Sequence, residues 1–218
     1  MKTSFAVIGL GRFGLGIVEE LSKMGADVIA IDSDSHAVER ASKFVSYAVV
    51  TDSTNEVNLK ELGIANVTHA VVAIGSNLQA TILTTAILNE LGVKKITVRL
   101  DNDYYEKTIL KLGATSIVYP EKAGGNRLAR SIISDSFVDY FKISDDHNVV
   151  QMAIKDDFPP ITLVDLNSRN RFDVNVVLIV RDKKSFIPKG TDLVKPGDNI
   201  LVIGKDNNLR KFENYLNK

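Results

Sequence analysis

KTSFAVIGLGRFGLGI, from Lys2 to Ile17, decides the fold. An apolar run, Phe5 to Ile8, leads into three glycines spaced G-x-G-x-x-G at Gly9, Gly11 and Gly14, and a helical pattern follows. Strand, tight turn and helix start in that order form the arrangement that holds a pyrophosphate. Gly9 permits the turn, Gly11 lets the backbone approach phosphate oxygens, and Gly14 lets the helix lie close to the strand. The helix N-terminus adds free N–H groups and partial positive charge. The spacing alone also suits a plain glycine-rich turn, so its surroundings matter. Asp27 to Asp32 (DVIAID) reads as a second short strand ending in a carboxylate eighteen residues after Gly14. That is close to the spacing, about 20 residues, of an acid that accepts ribose hydroxyls. The segment predicts a dinucleotide or adenine-nucleotide site, and the acid disfavours a 2′-phosphate, hence NADP.

The chain has 218 residues, enough for one large domain or one of about 140 residues with a small companion. An apolar fraction of 44% and a charged fraction of 25% are those of an ordinary globular protein. Lys plus Arg equals Asp plus Glu at 27 each, which argues against nucleic acid as a partner. Cysteine is absent, so disulfides, thiolate metal sites and a Cys nucleophile are excluded together, as suits a cytoplasmic protein. Lys2 before an apolar stretch imitates a signal peptide, but Arg12 interrupts it and no small-residue cleavage site follows. The longest apolar runs, Ala70 to Ile74 and Val176 to Val180, fall far short of the roughly 20 residues of a membrane helix. A membrane role would have to come through a partner.

Beyond Asp32, strands are expected at Tyr47 to Val50, His69 to Gly75, Ile96 to Arg99 and Ser116 to Tyr119. Helices are expected after Ser33, after the Thr51 to Asn55 loop, from Ala80 to Leu91 and from Tyr104 to Leu112. Ser53 and Glu56 have the spacing of a capping box. Repeated strand and helix units of about 20 residues predict an α/β fold with a Rossmann-like, doubly wound parallel sheet. Ligands of such sheets sit outside the carboxyl ends of the strands, so Gly11, Asp32, Asp52, Asn77 and Arg99 should converge on one crevice. With their neighbours, the predicted site comprises Gly9, Gly11, Arg12, Phe13, Gly14, Asp32, Ser33, Asp52, Ser53, Ile74, Gly75, Asn77 and Arg99. Pro120 starts a further helix through Leu128, Ile132 and Ile133, whose apolar stripe needs another surface, such as a second subunit. From Phe137 the pattern changes: the polar turn Asp145-Asp146-His147, a strand-like Val149 to Ile154, the break Pro159-Pro160, a short helical Leu163 to Leu166, strands at Val174 to Arg181, Ser185 to Ile187 and Ile200 to Ile203, and an amphipathic helix from Leu209 to Leu216. The expected organisation is a nucleotide-binding domain over 1–136 and a small α+β domain over 137–218.

Catalytic chemistry is sparse. His36, His69 and His147 are isolated, no His, Asp and Glu group has metal-ligand spacing, and no Ser sits in a nucleophile elbow, so an enzyme is not expected. Arg12 reads either as a solvated loop cation or as a phosphate contact, including one to a neighbouring subunit. Glu121 reads as a first-turn carboxylate favoured by the helix dipole or as a cation ligand. Asp101-Asn102-Asp103 is taken as a turn and helix cap. Arg169, Arg171 and Arg181 read as surface charge or as a phosphate site.

FAVIGLGRFG at Phe5 to Gly14, Asp32, the Thr51-Asp52-Ser53-Thr54 loop, VVAIGSNLQA at Val71 to Ala80 and YPEK at Tyr119 to Lys122 resemble the regulator-of-potassium-conductance (RCK, TrkA-type) proteins, in particular the cytosolic subunits of bacterial Ktr potassium transporters. The resemblance implies a cytoplasmic gating subunit, peripheral to the inner face of the membrane. It would assemble as dimers into an octameric ring on a membrane potassium-translocating subunit. It implies ATP or ADP, or alternatively NAD or NADH, on the Gly9 to Gly14 loop with the ribose at Asp32. Arg12 would reach a γ-phosphate across a dimer interface, and Glu121 would stand at the position for Mg2+ or another divalent cation. It further implies cyclic di-AMP at a C-terminal dimer interface, with Leu163, Asn167, Arg169, Val174, Asn175 and Pro188 at the matching positions. The chain departs from that pattern with Asn167-Ser168 in place of Asp and an aliphatic residue, and Phe172-Asp173 in place of an aromatic-Gly pair. The alternatives are a small NAD-dependent oxidoreductase and a stand-alone nucleotide or redox sensor.

Overall fold

A computed structural model of the chain describes residues 4–75, 77–133, 137–144 and 146–217. It divides into two compact units, Met1–Ala123 and Gly124–Lys218. Ser76, residues 134–136 at the expected domain junction, and Asp145 of the expected polar turn lie outside the described residues.

The first unit alternates strand and helix: β1 (Ser4–Ile8), α1 (Arg12–Lys23), β2 (Asp27–Asp32), α2 (Ser35–Ala41), β3 (Tyr47–Val50), α3 (Glu56–Glu61), β4 (His69–Val72), α4 (Leu78–Glu90), β5 (Ile96–Arg99), α5 (Glu106–Lys111) and β6 (Ser116–Val118). All its strand pairs are parallel, in the order β3-β2-β1-β4-β5-β6. Parallel strands buried on both faces read as continuous apolar runs, which explains AVI in β1 and AVV in β4. The order reverses between β1 and β4, paired at Phe5 with His69 and Ile8 with Val72. This switch point opens the crevice where ligands of doubly wound sheets sit. One core layer, including Ile8, Ile31, Leu59, Val72, Leu88 and Ile109, covers one face, and a second, including Val7, Leu10, Val18, Ala30 and Val38, covers the other. The Rossmann-like reading is the observed fold.

Local details differ from the sequence reading. Asn55, not Ser53, caps α3, its side chain accepting from Val57 N at 3.0 Å. Ser53 is buried, and its hydroxyl meets Thr84 rather than the start of α3. Tyr104 and Tyr105 belong to a short 3-10 turn capped by Asn102, and α5 begins only at Glu106. β4 ends at Val72, and Ala73 and Ile74 leave the sheet to run beneath Gly9.

Helix α6 (Pro120–Ile133) begins at the end of the first unit, and the division between units falls within it, between Ala123 and Gly124. The second unit contains β7 (Phe137–Lys142), β8 (His147–Ala153), β9 (Ile161–Thr162), α7 (Leu163–Leu166), α8 (Ser168–Phe172), β10 (Val174–Arg181), β11 (Lys184–Phe186), β12 (Leu193–Val194), β13 (Asn199–Lys205) and α9 (Asp206–Leu216). Its main sheet is antiparallel, in the order β11-β10-β13-β8-β7, and β9 pairs with β12. Helix α9 presents Leu209, Phe212 and Leu216, at helical spacing, to a core with Val150, Met152, Val174, Ile179, Ile200 and Val202. Strands β7, β9 and β12 and helix α8 are additional to the expected elements. Among the described residues, no helix is long and apolar enough to cross a membrane.

Candidate nucleotide site

The glycine loop is fixed by packing on two sides. Gly9 has φ +92°, a left-handed conformation that L side chains rarely adopt, and a Cβ there would stand 2.7 Å from the backbone of Ala73 and Ile74. A Cβ on Gly14 would fall 1.8 Å from the Gly9 carbonyl oxygen, so only glycine lets α1 start this close to the strand end. Gly11 differs: apart from its chain neighbours, no atom lies within 4 Å of the place a Cβ would take. Its lack of a side chain serves no internal packing and leaves open space at the N-terminus of α1, where backbone N–H groups attract anions. Arg12, the first residue of α1, is exposed beside that space, and Phe13 turns back into the core.

Asp32 closes the loop from the neighbouring strand. Its Oδ2 accepts from Leu10 N at 2.6 Å and its Oδ1 from Asp34 N at 2.9 Å, so the carboxylate ties the glycine loop to the end of β2. An ionised carboxylate offers about four lone-pair positions, and the two that remain can meet ribose hydroxyls. Ser33 is exposed next to it. After β3, Asp52 Oδ1 accepts from both the backbone N–H and the hydroxyl of Thr54, at 2.8 and 2.7 Å. Those bonds hold its carboxyl below the usual carboxylate range. Ser53 points inward: its hydroxyl meets Thr84 Oγ1 at 2.8 Å within the core, linking this loop to α4. Its side chain therefore shapes the crevice rather than facing a ligand. Asn77 caps α4, accepting from Ala80 N at 3.0 Å. Ile74 packs against the core, and Gly75 is exposed.

Arg99 ends β5 with its guanidinium over Gly75: a Cβ there would lie 3.3 Å from Nη1. Its Nη2 donates to Glu121 Oε1 at 2.7 Å and to Asp101 Oδ1 at 3.0 Å. Glu121 thus meets an arginine, and among the described residues no group of three His, Asp or Glu side chains forms a metal site. The histidines stay apart: His36 is near Glu39, His69 bonds Thr97, and His147 bonds Asp146.

In the second unit, Arg169 and Asn175 are exposed, Leu163 and Pro188 are half-buried, and Val174 is packed in the core. Asn167 stands between α7 and α8 at φ +48°, its side-chain oxygen accepting from Asn170 Nδ2 at 2.7 Å. Arg171 and Arg181, grouped with Arg169 in the sequence, are committed to the fold. Arg181 grips the buried Asp198 through two bonds of 2.7 Å. Arg171 stacks 4.5 Å from the Tyr215 ring centroid.

Residues 5–120 match the TrkA-N domain and residues 161–217 the TrkA-C domain. The chain belongs to the TrkA (RCK) family. This RCK protein is 44% identical over 214 residues, 98% of its length and 97% of the relative's, to Ktr system potassium uptake protein C of Bacillus subtilis (strain 168). It is 34% identical over 211 residues, 96% and 95% of the two chains, to Ktr system potassium uptake protein A of the same organism. The crystal structure of the GsuK RCK domain superposes with a TM-score of 0.54 at 19% identity, over 99% of this chain and 46% of that one, a likeness of fold.

Two structural details of the RCK chain escaped the sequence reading. Thr84 is a partner of the Thr51 to Asn55 loop, and its only sequence signal is a run of threonines, Thr81, Thr84 and Thr85, on the buried side of an otherwise aliphatic helix. Asp173, replacing the expected glycine, takes φ +56° at the end of α8. Asp tolerates the left-handed region better than most residues, so the departure keeps the backbone turn.

Proposed function

We propose that this protein is a cytosolic regulatory subunit of a potassium uptake system, not an enzyme, and that an adenine nucleotide on its glycine loop controls potassium flux through a membrane-embedded partner. The observation that carries this reading is the open space at Gly11, between a loop locked by Gly9 and Gly14 and a carboxylate, Asp32, with lone pairs to spare. Identity to potassium uptake proteins along nearly the whole chain supports the potassium context. ATP, ADP and NAD(H) all present a pyrophosphate and a ribose diol, which is the chemistry this crevice suits. Regulation requires the ligand to bind two conformations with different affinities, since equal affinity shifts nothing. Arg12, exposed at the start of α1, is suited to contact a γ-phosphate held by a neighbouring copy in a ring of subunits. Exposed Arg169 and Asn175 are suited to cyclic di-AMP between two C-terminal units.

Calorimetric titration of the full-length protein with ATP, ADP, NADH and cyclic di-AMP tests the reading, together with potassium uptake by cells carrying the protein and its membrane partner. Binding of ATP or ADP, with Arg12→Ala narrowing the ATP to ADP affinity ratio more than it weakens ADP, is the expected result. No binding of any adenine nucleotide, or equal losses for ATP and ADP in Arg12→Ala, overturns the nucleotide reading or the Arg12 role respectively.

A further inference from the structure

Helix α4 buries three threonines, Thr81, Thr84 and Thr85, each no more than 2% exposed. A buried hydroxyl is unfavourable unless it is hydrogen-bonded, and valine has the same shape without one. Thr81 and Thr85 bond within their own helix: their Oγ1 atoms donate to Asn77 O at 3.1 Å and to Thr81 O at 2.7 Å, four residues back. Thr84 reaches outside it. With its one proton directed to Ser53 O at 3.3 Å, Thr84 Oγ1 accepts the Ser53 hydroxyl at 2.8 Å. Both the main chain and the side chain of Ser53 are thereby fastened to α4. Ser53 follows Asp52, which stands on the strand end next to Asp32: Asp32 pairs with Val50, and Thr51 N donates to Asp32 O at 2.9 Å. A nucleotide with its phosphates on the glycine loop and its ribose at Asp32 runs on toward this loop with its base. Asp52 meets that base as a carboxylate whose Oδ1 is held twice by Thr54. An ionised carboxylate only accepts hydrogen bonds, so it favours a base with an exocyclic amine over one with a carbonyl in its place.

We propose that Thr84 is a positioning residue for base selection: through Ser53 it holds the Asp52 carboxylate at the end of β3, where the carboxylate takes the amine of adenine. The inference rests on the proposed reading of the glycine loop as a phosphate seat. Thr84 is itself buried and acts only through the loop. Without its hydroxyl the phosphates and ribose keep their seats, and the loop no longer holds Asp52 in the place that separates an amine from a carbonyl.

The test titrates the full-length protein and its Thr84→Val, Thr84→Ser, Ser53→Ala and Thr85→Val variants with ADP and with IDP. IDP has the same ribose and pyrophosphate with a carbonyl in place of the amine; NADH and its hypoxanthine analogue serve as the pair if ADP does not bind. A hydrogen bond to a charged group is worth about tenfold or more in affinity, so the wild type is expected to prefer ADP by at least that factor. Thr84→Val is expected to narrow the ADP to IDP ratio by about three- to tenfold. Thr84→Ser, which keeps the hydroxyl, should restore the ratio to within about twofold of wild type. Ser53→Ala should narrow it in the same direction as Thr84→Val. Thr85→Val removes an equally buried hydroxyl that bonds inside α4, and should keep the wild-type ratio even where the protein unfolds at a lower temperature. Equal ADP and IDP affinity in the wild type overturns the inference and leaves the nucleotide reading intact. So does an unchanged ratio in Thr84→Val, or in Ser53→Ala should Thr84→Val not fold, and so does a Thr85→Val ratio narrowed as much as that of Thr84→Val. A wild type that binds no adenine nucleotide removes both.

Discussion

Alanine at Gly14 and alanine at Gly11 are expected to act in opposite directions on the ligand-free protein. At Gly14 the new Cβ must retreat from 1.8 Å to at least 3.0 Å from the Gly9 carbonyl oxygen. The loop has nowhere to go: Gly9 N is bonded to Ile31 O at 2.8 Å, and its Cα side rests on Ala73 and Ile74. Overpacking of this severity costs about 3 kcal/mol or more, which in a chain of this size lowers Tm by about 6–12 °C. At Gly11 the backbone has φ −63° and ψ −171°, open to any residue, and the methyl meets no atom. Restricting the unfolded chain there stabilises the free protein by about 0.4–1 kcal/mol. The same methyl occupies the space a pyrophosphate needs. Thermal unfolding with and without ADP reads both effects. Gly14→Ala should unfold early, while Gly11→Ala should unfold slightly late and lose most of the rise in Tm that ADP gives the wild type, about 2.7 kcal/mol at a hundredfold excess over Kd. A Gly11→Ala protein that ADP stabilises as well as the wild type would refute the phosphate seat, and a Gly14→Ala protein of undiminished Tm would refute the packing argument.

Lys183 follows Asp182 in the two-residue turn between β10 and β11, both left-handed at φ +62° and +50°. Lys183→Gly should stabilise the second unit by about 0.5–1 kcal/mol, seen as a higher denaturant midpoint at unchanged slope. Arg181→Ala leaves the charge of Asp198, which is 1% exposed, without its cation although the Lys195 N–H still donates to it, and should cost about 3 kcal/mol in chemical denaturation; a loss under about 1 kcal/mol would show that the pair is expendable. Thr54→Val removes one of the two bonds that hold the Asp52 carboxyl below its usual range. Because the folded pKa is depressed, the Thr54 bonds contribute stability above the ordinary carboxylate value that is lost as pH falls through the folded value. A carboxyl NMR titration should find the Asp52 midpoint raised in Thr54→Val, and an unmoved midpoint would assign the shift to the backbone bond alone.

The first unit was legible because each of its strands is an apolar run and each helix carries helical spacing, signals local to the segment. The second unit concealed β7 because a register shift between Phe137 and Asp139 breaks the alternation that identifies a strand. It concealed α8 because five polar and aromatic residues between two left-handed positions carry no period. The glycine loop, Asp32 and Asp52 could be placed from spacing, since their geometry follows from the ends of strands. Partners far apart in the chain could not. Ser53 reads as a helix cap until Thr84, thirty-one residues on, is seen to take its hydroxyl. Arg99 reads as a residue of the crevice, and no local signal shows that Glu121, twenty-two residues on, holds it.

Asp32 shows why the residue most suggestive of a ligand in the sequence is a poor place to test for one. Both of its oxygens already accept backbone N–H groups, from Leu10 in the glycine loop and from Asp34 at the cap of α2. Asparagine has one acceptor and one donor group, so in either orientation its NH2 would face one of those N–H groups. The substitution therefore opens the loop whether or not a ribose is ever bound, and lost binding would follow from lost geometry alone. Gly11 is the opposite case, a position where the fold uses nothing and a ligand would use the space. Discrimination between a site that is built and a site that is occupied lies at such positions, because only there can binding fall while the free protein keeps or gains stability.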